Sequence, residues 1–125
     1  MATILLVDDD DGVRDILHRT LVAAGHEVED AVNGDVALAA YRRQPRDVVI
    51  TDLVMPEKNG LETIMELRRL NPAVKIVAMS GGGRTLGLGQ LYLESASLFG
   101  AGRILAKPFT SAALLTAVNE VLGGD

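Results

Sequence analysis

Four short apolar runs in this chain each lead to a residue that can do chemistry. Ile4 to Val7 runs into Asp8 and Asp9, Asp52 lies just past Val48 to Ile50, Ser80 follows Ile76 to Met79, and Lys107-Pro108 follows Ile104 to Ala106. Brought together, these positions put three carboxylates, a hydroxyl and an ammonium into one pocket. Carboxylates held so close repel one another, and a cation among them relieves the repulsion. Magnesium suits the set, because it takes hard oxygen ligands, needs few of them from the protein and keeps waters that a phosphate oxygen can displace. A carboxylate beside a phosphoryl group that a metal orients and neutralises can act as a nucleophile and form an acyl phosphate. Lys107 would then offset the added negative charge as a flexible point cation. Ser80 could donate a hydrogen bond to a phosphoryl oxygen.

The elements that must bring these residues together are legible in the hydrophobic pattern. Unbroken apolarity over about four residues marks strands buried on both faces of a parallel sheet. The more polar segment from Glu27 to Val32 suits a sheet edge. Between the runs lie segments of helical period: Val13, Ile16, Leu17, Leu21 and Ala24, then Leu61, Ile64 and Met65, and finally Leu114, Val118 and Val121. Gly25 is placed to stop the first of these helices, Pro72 follows the one with Leu61, Ile64 and Met65, and Gly123-Gly124 ends the last. The order predicted is βαβαβαβαβα, an α/β fold with a doubly wound parallel five-stranded sheet and right-handed crossovers. Such sheets bind ligands at the carboxyl ends of their strands, where the strand order reverses.

Composition bounds the rest. The chain has 125 residues, enough for one domain with a sizeable core and too few for two. Hydrophobic residues make up 48% and charged residues 23%, which excludes a disordered or collagen-like chain. The absence of cysteine excludes disulfides, thiolate metal sites and a cysteine nucleophile. No apolar run approaches the roughly 20 residues of a membrane helix, and the first residues lack the basic region of a signal peptide. A soluble, cytoplasmic protein with no membrane insertion is expected. The net charge is −5, but without the run Asp8 to Asp11 it falls to −1. The acidity is local, and direct DNA binding, which needs a basic face, is not expected.

Taken in order, these motifs resemble the receiver domain of two-component response regulators, specifically the stand-alone kind similar to chemotaxis and phosphorelay regulators. The resemblance spans essentially residues 1–125, and no output domain is expected. It rests on Ile4-Leu5-Leu6-Val7-Asp8-Asp9-Asp10 with Arg14 downstream, Asp52-Leu53-Val54-Met55-Pro56 with Asn59-Gly60, Val77-Ala78-Met79-Ser80, and Leu105-Ala106-Lys107-Pro108-Phe109. It implies a flavodoxin-like strand order 2-1-3-4-5 and a non-enzymatic signalling role. By the same resemblance, Asp52 accepts a phosphoryl group from a sensor histidine kinase or histidine phosphotransfer protein. Asp9 binds Mg2+ directly and Asp8 largely through water, with Asp52 and the backbone carbonyl of Val54 as further ligands. Ser80 is the switch hydroxyl, Lys107 contacts the phosphoryl group, and the Lys107-Pro108 peptide is cis. The downstream partner is a protein that the sequence does not identify.

Other readings compete at several positions. Asp10 and Asp11 suit an N-cap and first helical turn, and His18 and His26 suit structural or solvated roles. Asp9-Asp10-Asp11-Gly12-Val13 also fits the nucleophile motif of haloacid dehalogenase-type phosphatases, with Asp9 attacking. That alternative lacks an acidic motif after Lys107 and leaves Asp52 to Pro56 unexplained. Three departures from the receiver pattern carry expectations of their own. Ile104 replaces the usual aromatic switch residue. Residues 81–89 hold five glycines, so a mobile loop is expected there, leading into a helix with Leu91, Tyr92, Ala96 and Phe99 and carrying the output. Val54 and Gly82, two residues beyond Asp52 and Ser80, cannot orient an attacking water, so a slowly hydrolysing aspartyl phosphate is expected.

Overall fold

The structure is a computed structural model that describes residues 2–53, 60–80 and 102–123, apart from the side chain of Ser80. Five strands, β1 (Thr3–Val7), β2 (Glu27–Ala31), β3 (Val48–Asp52), β4 (Ile76–Ser80) and β5 (Arg103–Ala106), form one sheet. All pairings are parallel and the order is β2-β1-β3-β4-β5, as expected. Four helices are described: α1 (Asp11–Ala23), α2 (Gly34–Arg43), α3 (Gly60–Leu70) and α4 (Ser111–Val121). The expected helix carrying Leu91, Tyr92, Ala96 and Phe99 lies outside the described residues. So do the glycines of 81–89, Val54, Met55, Pro56 and Asn59.

The unbroken apolar runs have a direct cause in the two-layered core. Along β1, Ile4 and Leu6 pack with Leu17 and Leu21 of α1 and Leu114 and Val118 of α4. Leu5 and Val7 point the other way, into a cluster with Leu38 and Tyr41 of α2 and Ile64 and Leu67 of α3. Successive side chains alternate between faces, so a strand with helices on both sides must be apolar at every position. Edge strand β2 is mixed, and only Ala31 is fully buried. Strand β5 departs from the expectation of burial on both faces: Arg103 and Ala106 are exposed, and Ile104 and Leu105 are half-buried. It is the other edge, with one hydrogen-bonded neighbour, β4.

Helix ends follow local chemistry. Asp10 caps α1 by accepting a 3.0 Å hydrogen bond from the backbone of Val13, and Asn33 and Thr110 cap α2 and α4 in the same way. Gly25 follows α1 with φ +96° and Gly123 follows α4 with φ +85°, conformations that favour glycine. Three residues of the expected apolar stripes are not in the core. Ile16 is 64% exposed and Met65 37% exposed, because α1 and α3 bury only the narrow stripes centred on Leu17, Leu21, Ile64 and Leu67. Ala24 is exposed too, as the residue that ends α1. Among the described residues, no helix is long and apolar enough to cross a membrane.

Candidate functional site

The chain reverses direction across the sheet between β1 and β3, which lie side by side although β2 intervenes in sequence. Their register pairs Val7 with Thr51, so the residues that follow, Asp8 and Asp52, emerge together at the carboxyl end. Asp52 belongs to β3 itself, which runs two residues past the apolar run. Its backbone pairs with Met79, and the next step along β4 pairs Ser80 with Ala106. Lys107 follows immediately, and its peptide bond to Pro108 is cis.

Asp8 and Asp52 are buried, at 0% and 4% exposure, whereas Asp9 faces solvent. One carboxylate oxygen from each of the three lies within 4.8 Å of the others. The Nζ of Lys107 donates to Asp8 Oδ2 at 3.0 Å and to Asp52 Oδ2 at 3.3 Å. Burial disfavours the charged ammonium, but the attraction of Asp52 and Asp8, with their hydrogen bonds, outweighs it and raises the Lys107 pKa. Lys107 is therefore a cation at neutral pH. Its one ammonium hydrogen-bonds to two of the three carboxylates. An all-oxygen donor set with one member open to solvent fits a hard divalent ion such as Mg2+.

The turn after β1 is held from several sides. The Asp8 amide donates to Ala31 at 3.1 Å, and Asp8 Oδ1 accepts from the Asp10 amide at 2.9 Å. Its carbonyl accepts from Arg14 Nη1 at 2.7 Å. Arg14 also pairs with Asp11 and Asp30, which raises its pKa, with the Asp11 hydrogen bond as the largest cause. On the other side, Gly60 opens α3 against the end of β3, its amide 2.9 Å from the Leu53 carbonyl. A Cβ there would collide with the Asp52 carbonyl oxygen and sit 2.6 Å from the Leu53 Cα.

Asp8, Asp9, Asp52 and Lys107 thus converge as the strand-end pattern implies. The Ser80 backbone reaches the same end of the sheet, and Val54 lies outside the described residues. Asp10 is a cap, and Asp11 is a first-turn partner for Arg14. His18 pairs with Asp30, and His26 accepts from the Ala2 amide, both structural contacts. What the sequence leaves unseen is the reason for Gly60 and the reach of Arg14. The spacing of Asp11 and Arg14 signals a helical ion pair, but nothing local points to Asp30.

Comparison with known proteins agrees with this geometry. Residues 4–119 match the family model described as response regulator receiver domain. The chain is 34% identical to the chemotaxis protein CheY of Thermotoga maritima, over 94% of this chain and 95% of that protein. It is also 34% identical to the DNA-binding transcriptional regulator NtrC of Azospirillum brasilense, over 99% of this chain but only 25% of that protein. In structure it resembles a response regulator receiver domain protein from Clostridium thermocellum, with a TM-score of 0.88 and 28% identity over 98% of this chain and 95% of that one.

Proposed function

This chain belongs to the response regulator receiver domain family, and from that premise we propose that Asp52 is its phosphoacceptor, with Asp8, Asp9 and Lys107 completing the reactive cluster. A sensor histidine kinase or histidine phosphotransfer protein would be the donor. The observation that carries the reading is Lys107 Nζ lodged between Asp8 and Asp52, with Asp9 at the same cluster.

In the transfer, an Asp52 carboxylate oxygen forms the new bond to phosphorus while the bond from phosphorus to the donor's imidazole nitrogen breaks. The imidazole leaves with the electron pair. Lys107 would hold the incoming phosphoryl oxygens, a role supported by the reach of its ammonium to Asp52. Mg2+, held by Asp8, Asp9, Asp52 and the Val54 carbonyl, would neutralise and orient the phosphoryl group. Ser80, at the end of β4, is the switch hydroxyl in this reading. The product is a signalling state read by another protein, in the cytoplasm. Val54 and Gly82 offer no side chain to orient water, so the acyl phosphate should hydrolyse slowly. A half-life of seconds in Mg2+ buffer would overturn that last point.

The phosphatase alternative with Asp9 as nucleophile finds no support. The receiver match runs through nearly the whole chain, and Lys107 reaches Asp52 rather than Asp9. Incubation with acetyl phosphate and MgCl2, followed by intact-mass measurement, tests the assignment. One phosphoryl group should add to the wild type and none to Asp52→Asn, and Asp9→Asn should lose the dependence on Mg2+. Labelling of Asp52→Asn at the wild-type level would reject it.

A further inference from the structure

Arg14 is the residue of the motif that the phosphotransfer reading leaves without a task. Its side chain is 13% exposed although it starts from a surface helix. The guanidinium ties three elements together. Nη1 donates to the Asp8 carbonyl at 2.7 Å, Nη2 to Asp11 Oδ1 at 2.5 Å, and Nε lies 3.6 Å from Asp30 Oδ2 on edge strand β2. Asp30 is in turn held by His18, whose Nδ1 is 2.7 Å from Asp30 Oδ1.

This arrangement acts on the cluster through the backbone. The carbonyl that Arg14 holds belongs to the peptide joining Asp8 to Asp9, so its orientation sets where Asp9 leaves the strand. Asp9 is the exposed member of the cluster, and its side chain leaves from the peptide that Arg14 holds. Without a cation, repulsion among the three carboxylates works to open the turn. A planar guanidinium suits the brace, because its fork hydrogen-bonds the Asp8 carbonyl and the Asp11 carboxylate in fixed geometry while its buried Nε, which makes no hydrogen bond, faces the Asp30 carboxylate as an ion pair.

We propose that Arg14, anchored by Asp30, is a positioning residue for the divalent-cation site. It holds the Asp8-Asp9 peptide in the conformation that presents Asp9. The inference rests on the Mg2+ reading of the cluster. It carries a sign that electrostatics alone does not. Removing a positive charge near a cation site should by Coulomb's law tighten cation binding, whereas loss of a brace should weaken it. Groups that orient metal ligands from outside typically contribute about 10- to 100-fold to affinity.

The test is isothermal titration of the full chain with MgCl2, alongside thermal melts. Arg14→Met should bind Mg2+ about tenfold more weakly than wild type, the lower end of that range. Asp30→Asn, a milder change at a partly exposed side chain, should weaken it several-fold. The double variant should be no weaker than Arg14→Met, as expected for two residues acting as one unit. Arg14→Lys should remain weakened despite its charge, and Arg19→Gln, on an exposed neighbour paired with Asp15, should bind as wild type does. Equal or tighter binding by Asp30→Asn and by folded Arg14→Met, with a wild type that binds Mg2+, overturns the brace and leaves the cluster reading standing. A wild type that does not bind Mg2+ overturns the cluster reading itself.

Discussion

Lys107 and Asp8 lie 99 positions apart in sequence and are joined by a hydrogen bond of 3.0 Å at the carboxyl end of the sheet. The bond closes the fold across its two ends, from the turn after β1 to the strand end of β5. It also leaves one ammonium to serve two buried carboxylates, since Asp52 Oδ2 is 3.3 Å from the same nitrogen.

Lys107→Met should therefore strip compensation from Asp8 and Asp52 together. Breaking a buried ion pair costs about 3–5 kcal/mol, and the partial exposure of Lys107 brings the expected loss to about 2–3 kcal/mol. Denaturant melts with and without MgCl2 check this. Mg2+ should recover more stability in Lys107→Met than in wild type, because it supplies the missing charge. An equal Mg2+ effect in both proteins would reject the reading.

Gly60→Ala sets two known effects against each other. Glycine to alanine inside a helix gains up to about 1 kcal/mol. Here the new Cβ meets backbone at Asp52 and Leu53, and forced overpacking costs about 1–3 kcal/mol. The collision should win, lowering stability and, on the proposed role of Asp52, slowing acetyl phosphate labelling by displacing the end of β3. A variant at least as stable as wild type would contradict it.

Glu29, on β2, is bonded by Arg46 and Arg43. Chiefly through the Arg46 hydrogen bond, its pKa is held below the ordinary glutamate value of 4.5. A depressed carboxylate contributes stability above its unfolded pKa and loses it as pH falls through the folded one. Glu29→Gln should thus cost about 0.5–1 kcal/mol at pH 7, the range for partly exposed pairs. In urea melts that difference should shrink below pH 4.5 and vanish in more acid solution. A difference independent of pH would place the effect elsewhere.

Ile16 and Leu17 are adjacent on α1 and differ in what they touch. Leu17→Ala should cost about 2–5 kcal/mol, as for other buried leucines. Ile16→Ser, at a position 64% exposed, should stay within about 0.5 kcal/mol of wild type. Thermal unfolding of the pair distinguishes the buried stripe from the broader one that periodicity alone suggests.

Much of the fold is legible in local pattern. Runs such as Ile4 to Val7 are apolar at every position because helices cover both faces, and that pattern admits few alternatives to a parallel sheet. Asp8, Asp9, Asp52 and Lys107 were recognisable because each follows such a run, and strand ends in this topology converge. Periodicity is less reliable at the margins of a helix. It counts Ile16 and Met65 with the core because apolar type does not reveal how narrow the buried stripe is. It also treats β5 like the central strands, because lying at an edge is a property of the assembled sheet.

The sequence by itself thus determined the class of fold, the family and the members of the carboxylate-lysine cluster, since each member is marked by the short apolar run just before it in the chain. Tertiary structure alone decided how those members are held. Lys107 divides itself between Asp8 and Asp52, Gly60 yields its side-chain space to the backbone of Asp52 and Leu53, and Arg14 reaches the Asp8 carbonyl while facing Asp30. These contacts join residues from different strands and helices. Their strength depends on distances of a few tenths of an ångström, set by packing and register rather than by any local run of residues.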